Sequence, residues 1–221
     1  MSKKVSAILL SRPLGQGRTP KMLLPFGEDT VLSRTLKAYR GFDEVLVVVP
    51  GTGEGVESAI RSSGVSARAV PVPDQEAGIA AQLRSALDSA SGSAQGYAIG
   101  MTDQPILSAE VVAEIRKRFE DGKAKIIAPV CQRAIGMPTF FDAGLRKELA
   151  GLDERSNLWD LLKAHGESVD ACELFYTSVL NGIEDVDDYH ALLRLAGLPV
   201  PEPEEEEESA GPAGNGAPTP Q

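Results

Sequence analysis

Apolar positions in this chain fall into short unbroken runs, and between the runs lie stretches with helical spacing. Residues 5–10 (VSAILL), 44–49 (EVLVVV), 97–99 (YAI) and 125–130 (KIIAPV) are too uniformly apolar for strands with one wet face. They predict strands buried on both sides. The spacing of Val31, Leu32, Thr35, Leu36 and Tyr39 predicts a helix over 30–39, and that of Ile79, Leu83, Ala86 and Leu87 one over 78–89. Further helices are expected at 56–63 and at 109–120, where Ser108 stands in the N-cap position, with another strand near 67–72. Alternating strands and helices argue for a mostly parallel sheet covered on both faces. The fold class is therefore α/β, a three-layer α/β/α sandwich of Rossmann-like type, with no internal repeat.

After Pro129 the rhythm changes. Residues 132–141 read as a loop leading into a strand. Short helices follow at 143–149 and 158–164, then a strand near 169–174 and a last helix over 187–196. From Pro199 the chain is dominated by Pro, Glu, Gly and Ala, too poor in apolar side chains to offset the entropy of ordering. One domain over 1–198 and a disordered acidic tail over 199–221 are expected.

Composition narrows the function classes. With 42% hydrophobic but only 5% aromatic residues, the core must be aliphatic. The net charge is −10, yet six of the acids lie in the tail, leaving about −4 elsewhere. No basic face exists to meet a phosphate backbone, which excludes nucleic acid as a partner. No run approaches the roughly 18 to 20 apolar residues of a membrane span, and no secretory h-region is visible, so a cytoplasmic location is expected. Cys131 and Cys172 have no C-x-x-C partner and are expected free and reduced. His165 and His190 are expected at the surface, and Trp159 as the anchor of the short helix pair.

Two stretches carry candidate chemistry. Residues 96–107 (GYAIGMTDQPIL) bring a buried strand straight into Asp103, with Gly100 and Pro105 punctuating it. Ligands of open α/β sheets bind at the carboxyl ends of strands. Two roles suit Asp103 there: capping the loop, or acting as a hard oxygen ligand to a Mg²⁺ that carries phosphates. Residues 11–20 (SRPLGQGRTP) follow the first strand, the usual place for a phosphate cradle. Gly15 and Gly17 allow close backbone approach, Arg12, Arg18 and Lys21 supply positive charge, while Pro13 and Pro20 remove N–H donors. The loop is neither a P-loop nor a dinucleotide fingerprint, and a surface loop with incidental basic residues remains the competing reading.

These stretches, taken together, resemble the MobA-like NTP transferases, and within them the molybdenum cofactor cytidylyltransferases. The opening is a strand, a Gly-containing basic loop, then Lys21, Leu23, Leu24 and Pro25. GIAAQLRSAL (78–87) is similar to the family's Gly-Met-x-x-Ser-Leu helix start, and MTDQPIL (101–107) to its Gly-Asp-Gln-Pro segment. RAIGMPTFF (133–141) resembles its Arg-Gly-His-Pro loop and strand, and IEDVDDYHALL (183–193) its closing Asp-Ile-Asp-x-x-x-Asp-Tyr. The resemblance implies a nucleotidyltransferase with a nucleotide half over 1–100 and an acceptor half after it. Asp103 would bind Mg²⁺, with Glu184 or Asp185 as a second metal contact. Lys21, helped by Arg18, would neutralise the triphosphate. Leu10, Ser11, Gly15, Gly17 and Gly78 would surround the nucleotide, and Gly136 and Pro138 would line the acceptor side. Implied partners are an NTP, best CTP, a phosphorylated acceptor such as molybdopterin, and a molybdoenzyme.

The chain also departs from the family pattern. The first loop glycine falls on Arg12 and the loop arginine on Gln16; a Gly-Asp-x-Gly-Ala-Arg stretch falls on ERSNLW (154–159) and is lost. In the closing motif the first Asp becomes Gly182 and the second Glu184. An Arg cannot replace a Gly beside phosphate without remodelling. Two further hypotheses therefore stand beside the enzyme: a non-catalytic nucleotide- or cofactor-binding protein accessory to a molybdoenzyme, and a sugar-phosphate nucleotidyltransferase on the same fold.

Overall fold

A computed structural model describes residues 2–11, 20–51, 53–74, 77–153 and 158–201. In chain order its strands are β1 (Val5–Leu10), β2 (Pro25–Phe26), β3 (Asp29–Thr30), β4 (Glu44–Pro50), β5 (Arg68–Val72), β6 (Gly96–Met101), β7 (Ile126–Cys131), β8 (Ala134–Ile135), β9 (Thr139–Asp142) and β10 (Val169–Glu173). The helices are α1 (Val31–Lys37), α2 (Val56–Ser63), α3 (Ile79–Ser89), α4 (Ala109–Asp121), α5 (Arg146–Ala150), α6 (Leu158–His165) and α7 (Val186–Leu195). The main sheet runs β10-β7-β9-β6-β1-β4-β5, with β8 added to β7. β1 is central and fully buried, parallel to β4 on one side and to β6 on the other.

Alternation along the strands sorts side chains into two layers. Val5, Ala7 and Leu9 face a cluster completed by α1, α2 and α4, whereas Ile8 and Leu10 face one completed by α3, α5 and α6. The fold is thus the α/β, mostly parallel sandwich expected. The two cysteines are buried and free, and among the described residues no helix is long and apolar enough to cross a membrane.

Several features differ from the pattern-based reading. β9 is antiparallel to both β6 and β7, so the sheet is mixed in its second half. The reversal begins in a tight β7–β8 hairpin whose turn, Gln132 and Arg133, has both residues in the left-handed region at φ 51° and 68°. Before α1 the chain forms a separate β2–β3 hairpin that the pattern does not predict. That hairpin shares a third apolar cluster with α7, in which Phe26 and Val31 meet Ile183, Tyr189, Leu192 and Leu193. Val200 packs on this cluster, so apolar contacts pass the expected tail boundary at Pro199; residues 202–221 lie outside those described. Trp159 is exposed, and Leu158, Leu161 and Leu162 anchor α6 in its place. The two histidines are half-buried, and His165 Nε2 lies 2.8 Å from a Glu148 carboxylate oxygen.

Candidate active site at the carboxyl rim of the sheet

From β1 the chain builds β4 and β5 on one side, then crosses to lay β6 on the other. The strand order therefore turns at β1, and parallel sheets bind ligands beyond the carboxyl ends of their strands at such a point. Ser11 leaves β1 and is almost fully buried. Its hydroxyl donates to the Val48 carbonyl at 2.6 Å, and its N–H donates to Gln82 Oε1 at 2.8 Å. Gln82 Nε2 donates in turn to the carbonyls of Ser11 at 2.7 Å and Ala77 at 2.8 Å. One carboxamide on α3 therefore clamps the exit of β1 to the loop that precedes α3. The helix N-cap is Gly78, where an added Cβ would meet nothing within 4 Å.

On the other flank, the Thr102 N–H donates to the Leu10 carbonyl at 3.0 Å, extending the β1–β6 ladder to the rim. Asp103 follows at 2% exposure and Gln104 at 3%, before Ser108 caps α4 by accepting from the Val111 N–H. Gln104 Nε2 donates to the Val179 carbonyl at 3.2 Å; its buried Oε1 has no partner among the described residues. The Val179 carbonyl also receives the Met137 N–H at 2.8 Å. A Cβ on Gly136 would stand 2.5 Å from that same oxygen, so the glycine is demanded by the chain's own backbone. Pro138 is buried beside it.

Lys21 opens a single 3₁₀ turn, Lys21–Leu23, and its ammonium donates to the Glu184 carbonyl. Glu184 and Asp185 lie at the N-terminus of α7, and Asp185 is its N-cap. Asp185 Oδ1 accepts the Asp188 N–H at 2.9 Å, while Asp188 Oδ2 accepts the Glu184 N–H at 2.9 Å. Asp185 Oδ1 thus serves the cap, and the described residues hold no group of three or more His, Cys, Asp or Glu side chains placed to bind a metal ion. Ions of the Mg²⁺ type take one or two carboxylates and fill their shell with water and substrate phosphate. Asp103 fits an ion that arrives with a triphosphate, not one caged by protein alone. Arg18, Gly15 and Gly17 lie outside the described residues. Gln82 and Gln104 were missed in the sequence because a glutamine in a helix or loop carries no chemical signature until its partners are known.

A mostly parallel sheet whose strand order turns at β1, with a buried carboxyl group at its rim, is an α/β fold of the nucleotidyltransferase type. The chain belongs to the MobA-like NTP transferase domain family, whose model matches residues 10–169. No curated protein matches it. Among solved structures, a Mycobacterium sp. strain JC1 homolog of Mycobacterium tuberculosis Rv0371c is similar, at 26% identity and TM-score 0.73, covering 89% of this chain and 98% of that one. Rv0371c of M. tuberculosis H37Rv in complex with manganese is also 26% identical, with TM-score 0.71 and coverage of 88% and 100%. The 2-C-methyl-D-erythritol 4-phosphate cytidylyltransferase of Thermus thermophilus shares the fold at 21% identity and TM-score 0.62, over 90% of this chain and 100% of that one.

Proposed function

We propose that the protein transfers a nucleotidyl group from an NTP, best CTP, to a phosphorylated acceptor such as molybdopterin. An acceptor phosphate oxygen bonds to the α-phosphorus as the α–β bridging bond breaks, and pyrophosphate leaves. Such transfer needs positioning and charge neutralisation more than a covalent nucleophile. Asp103 would hold the divalent ion, taken as Mg²⁺, which would supply charge neutralisation for the phosphates. In this reading Lys21 and Arg18 would neutralise the triphosphate, Leu10, Ser11, Gly15, Gly17 and Gly78 would hold the nucleotide, and Gly136 and Pro138 would line the acceptor side. The single observation that carries this reading is the burial of Asp103 at the β1–β6 reversal. The manganese complex of a similar protein supports a divalent ion, and the fold shared with a cytidylyltransferase supports CTP.

The test is a thermal-shift panel of CTP, GTP, ATP and UTP with and without Mg²⁺, followed by pyrophosphate release in the presence of acceptor. A ligand bound only by the folded state raises its apparent stability. Stabilisation by an NTP that depends on Mg²⁺ supports the site; a flat panel overturns it.

A second reading has its own support. Lys21 is engaged by the Glu184 carbonyl and Asp185 by its helix cap, so the closing acidic segment serves the chain itself. This favours a non-catalytic nucleotide- or cofactor-binding protein accessory to a molybdoenzyme. Nucleotide binding without pyrophosphate release from any NTP selects it.

A further inference from the structure

The edge of a sheet offers a row of unpaired backbone groups unless the sequence blunts it. The two edges of this sheet, β5 and β10, differ in that respect. On β5 the Val72 carbonyl turns inward to receive the Gly51 N–H at 2.8 Å, so the backbone of Pro71 faces outward. Proline has no N–H to offer there. On β10 the Leu174 N–H donates to the Val130 carbonyl of β7 at 2.8 Å. Backbone direction alternates along a strand, so Asp170 and Cys172 also face β7, while Val169, Ala171 and Glu173 face outward. The Val169 N–H is taken by the Gly166 carbonyl. No described residue meets the N–H groups of Ala171 and Glu173 or the carbonyls of Val169 and Ala171. Both Ala171 and Glu173 are exposed, and where the strand ends Phe175 is 99% exposed with Tyr176 exposed beside it. An open edge ending in bare aromatic rings is a template for a further strand.

The acids along this edge, Glu167, Asp170 and Glu173, narrow the choice of strand, because like charges directly opposite are destabilising. A second copy of β10, antiparallel about Ala171, meets the condition. Val169 then faces Glu173, Asp170 faces Cys172 and Phe175 faces Glu167, so no acid stands opposite an acid. In the same register the two Ala171 backbones bond each other, and each Glu173 N–H meets the other copy's Val169 carbonyl. Every open donor of the strand is then used. An axis through Glu173 would instead set that carboxylate against itself.

We propose that β10 is the interface of a two-fold dimer, in which the sheets of two copies join antiparallel about Ala171. Such a surface is self-complementary and needs no other partner. The carboxyl rims of the two sheets point in opposite directions, so the inference is independent of what the rim binds. A strand of five residues with two aromatic rings is small beside the roughly 1,200–2,000 Å² of a stable interface, so the dissociation constant should be on the order of 10 µM. Each copy carries a net charge of −10, so added salt should tighten the dimer by screening repulsion.

The experiment is sedimentation velocity of the full chain from about 1 to about 300 µM, a range that brackets this affinity, at low and high salt. Ala171→Pro removes an outward N–H that the fold does not use, and should abolish the dimer. Phe175→Ser removes an exposed ring and should weaken it by about tenfold or more. Ala171→Cys should link two copies when treated with oxidised glutathione, which takes up the electrons and leaves as the reduced thiol. Paired Cα atoms at a hydrogen-bonded site lie about 5.5 Å apart, within reach of a disulfide. Glu173→Cys should not link, since the two copies of that residue lie more than about 13 Å apart. A wild-type chain that stays monomeric throughout overturns the proposal, whether or not any variant folds, and leaves the edge to a strand from a different protein. A dimer weakened by salt overturns it too, as does one that Ala171→Cys fails to link or that folded Ala171→Pro and Phe175→Ser leave unchanged. If Ala171→Pro does not fold, the two cysteine variants decide.

Discussion

Tyr39 carries its hydroxyl into the core, where it finds no hydrogen-bond partner among the described residues. Burial also pushes its ionisation upward, so it stays a neutral phenol. The hydroxyl fits because Gly100, inside β6, has no Cβ; one added there would collide with the Tyr39 oxygen. An unsatisfied buried hydroxyl costs about 1–3 kcal/mol of desolvation, so Tyr39→Phe should be neutral or stabilise by about 1 kcal/mol. Urea unfolding checks this, and a loss larger than about 1 kcal/mol would reveal a partner for the hydroxyl. The sequence marked Gly100 only as punctuation, because its true reason is a side chain from a distant helix end. Asp103 was legible, since its place after a buried run is a local property. Asp103→Asn replaces the carboxyl group by a carboxamide at nearly constant shape. The Mg²⁺-dependent part of NTP binding should vanish, while binding measured without Mg²⁺ stays within about threefold, well under 1 kcal/mol. Titration with CTP in both conditions decides it, and unchanged Mg²⁺-linked affinity would remove Asp103 from the metal role.

At the scale of elements, α7 acts as a clasp over the lysine-bearing turn. Its N-terminus receives the Lys21 ammonium, and the Tyr189 hydroxyl donates to the Pro25 carbonyl from the next turn along. The helix was readable over 187–196, though not the capping box of Asp185 and Asp188 that starts it; the hairpin it grips was not, being two strands of two residues each. Tyr189→Phe keeps the ring in its cluster and removes one hydrogen bond. It should cost about 0.5–1.5 kcal/mol of stability by urea unfolding. An unchanged midpoint would show that the ring alone holds the hairpin. The β7–β8 turn was illegible for the opposite reason. Left-handed turns advertise themselves through Asn-Gly or Asp-Gly, and this one is built from Gln132 and Arg133. A non-glycine residue in that region costs about 1–2 kcal/mol. Arg133→Gly should therefore raise stability by about 1 kcal/mol once the greater freedom of the unfolded glycine is discounted. A lower melting temperature would mean that the exposed Arg133 side chain stabilises the turn by some other contact.

Across the whole molecule, the parallel strands of the first half followed their pattern closely, since strands buried on both faces leave little ambiguity between period and place. The second half did not, because β9 enters between β6 and β7 against their direction, and no local period encodes the direction of a strand. What secures the far edge of that half is partly electrostatic. Arg118 on α4 grips Asp170 on β10 with two hydrogen bonds, Nε at 2.9 Å and Nη2 at 2.7 Å, tying a helix layer to the edge strand. The hydrogen bonds from Arg118 hold the Asp170 carboxyl below the usual carboxylate value of 3.8. A carboxylate whose folded pKa is depressed contributes stability that is complete above its unfolded pKa and is lost as pH falls through the folded one. The pair is partly exposed, so solvent screening limits its worth to under about 1 kcal/mol. Asp170→Asn should thus lower the urea midpoint modestly at neutral pH, and the gap to wild type should close as pH drops below about 3.8 toward 2. A gap that persists undiminished in acid would mean that Asp170 stabilises the edge through its shape and neutral hydrogen bonds, not through its charge.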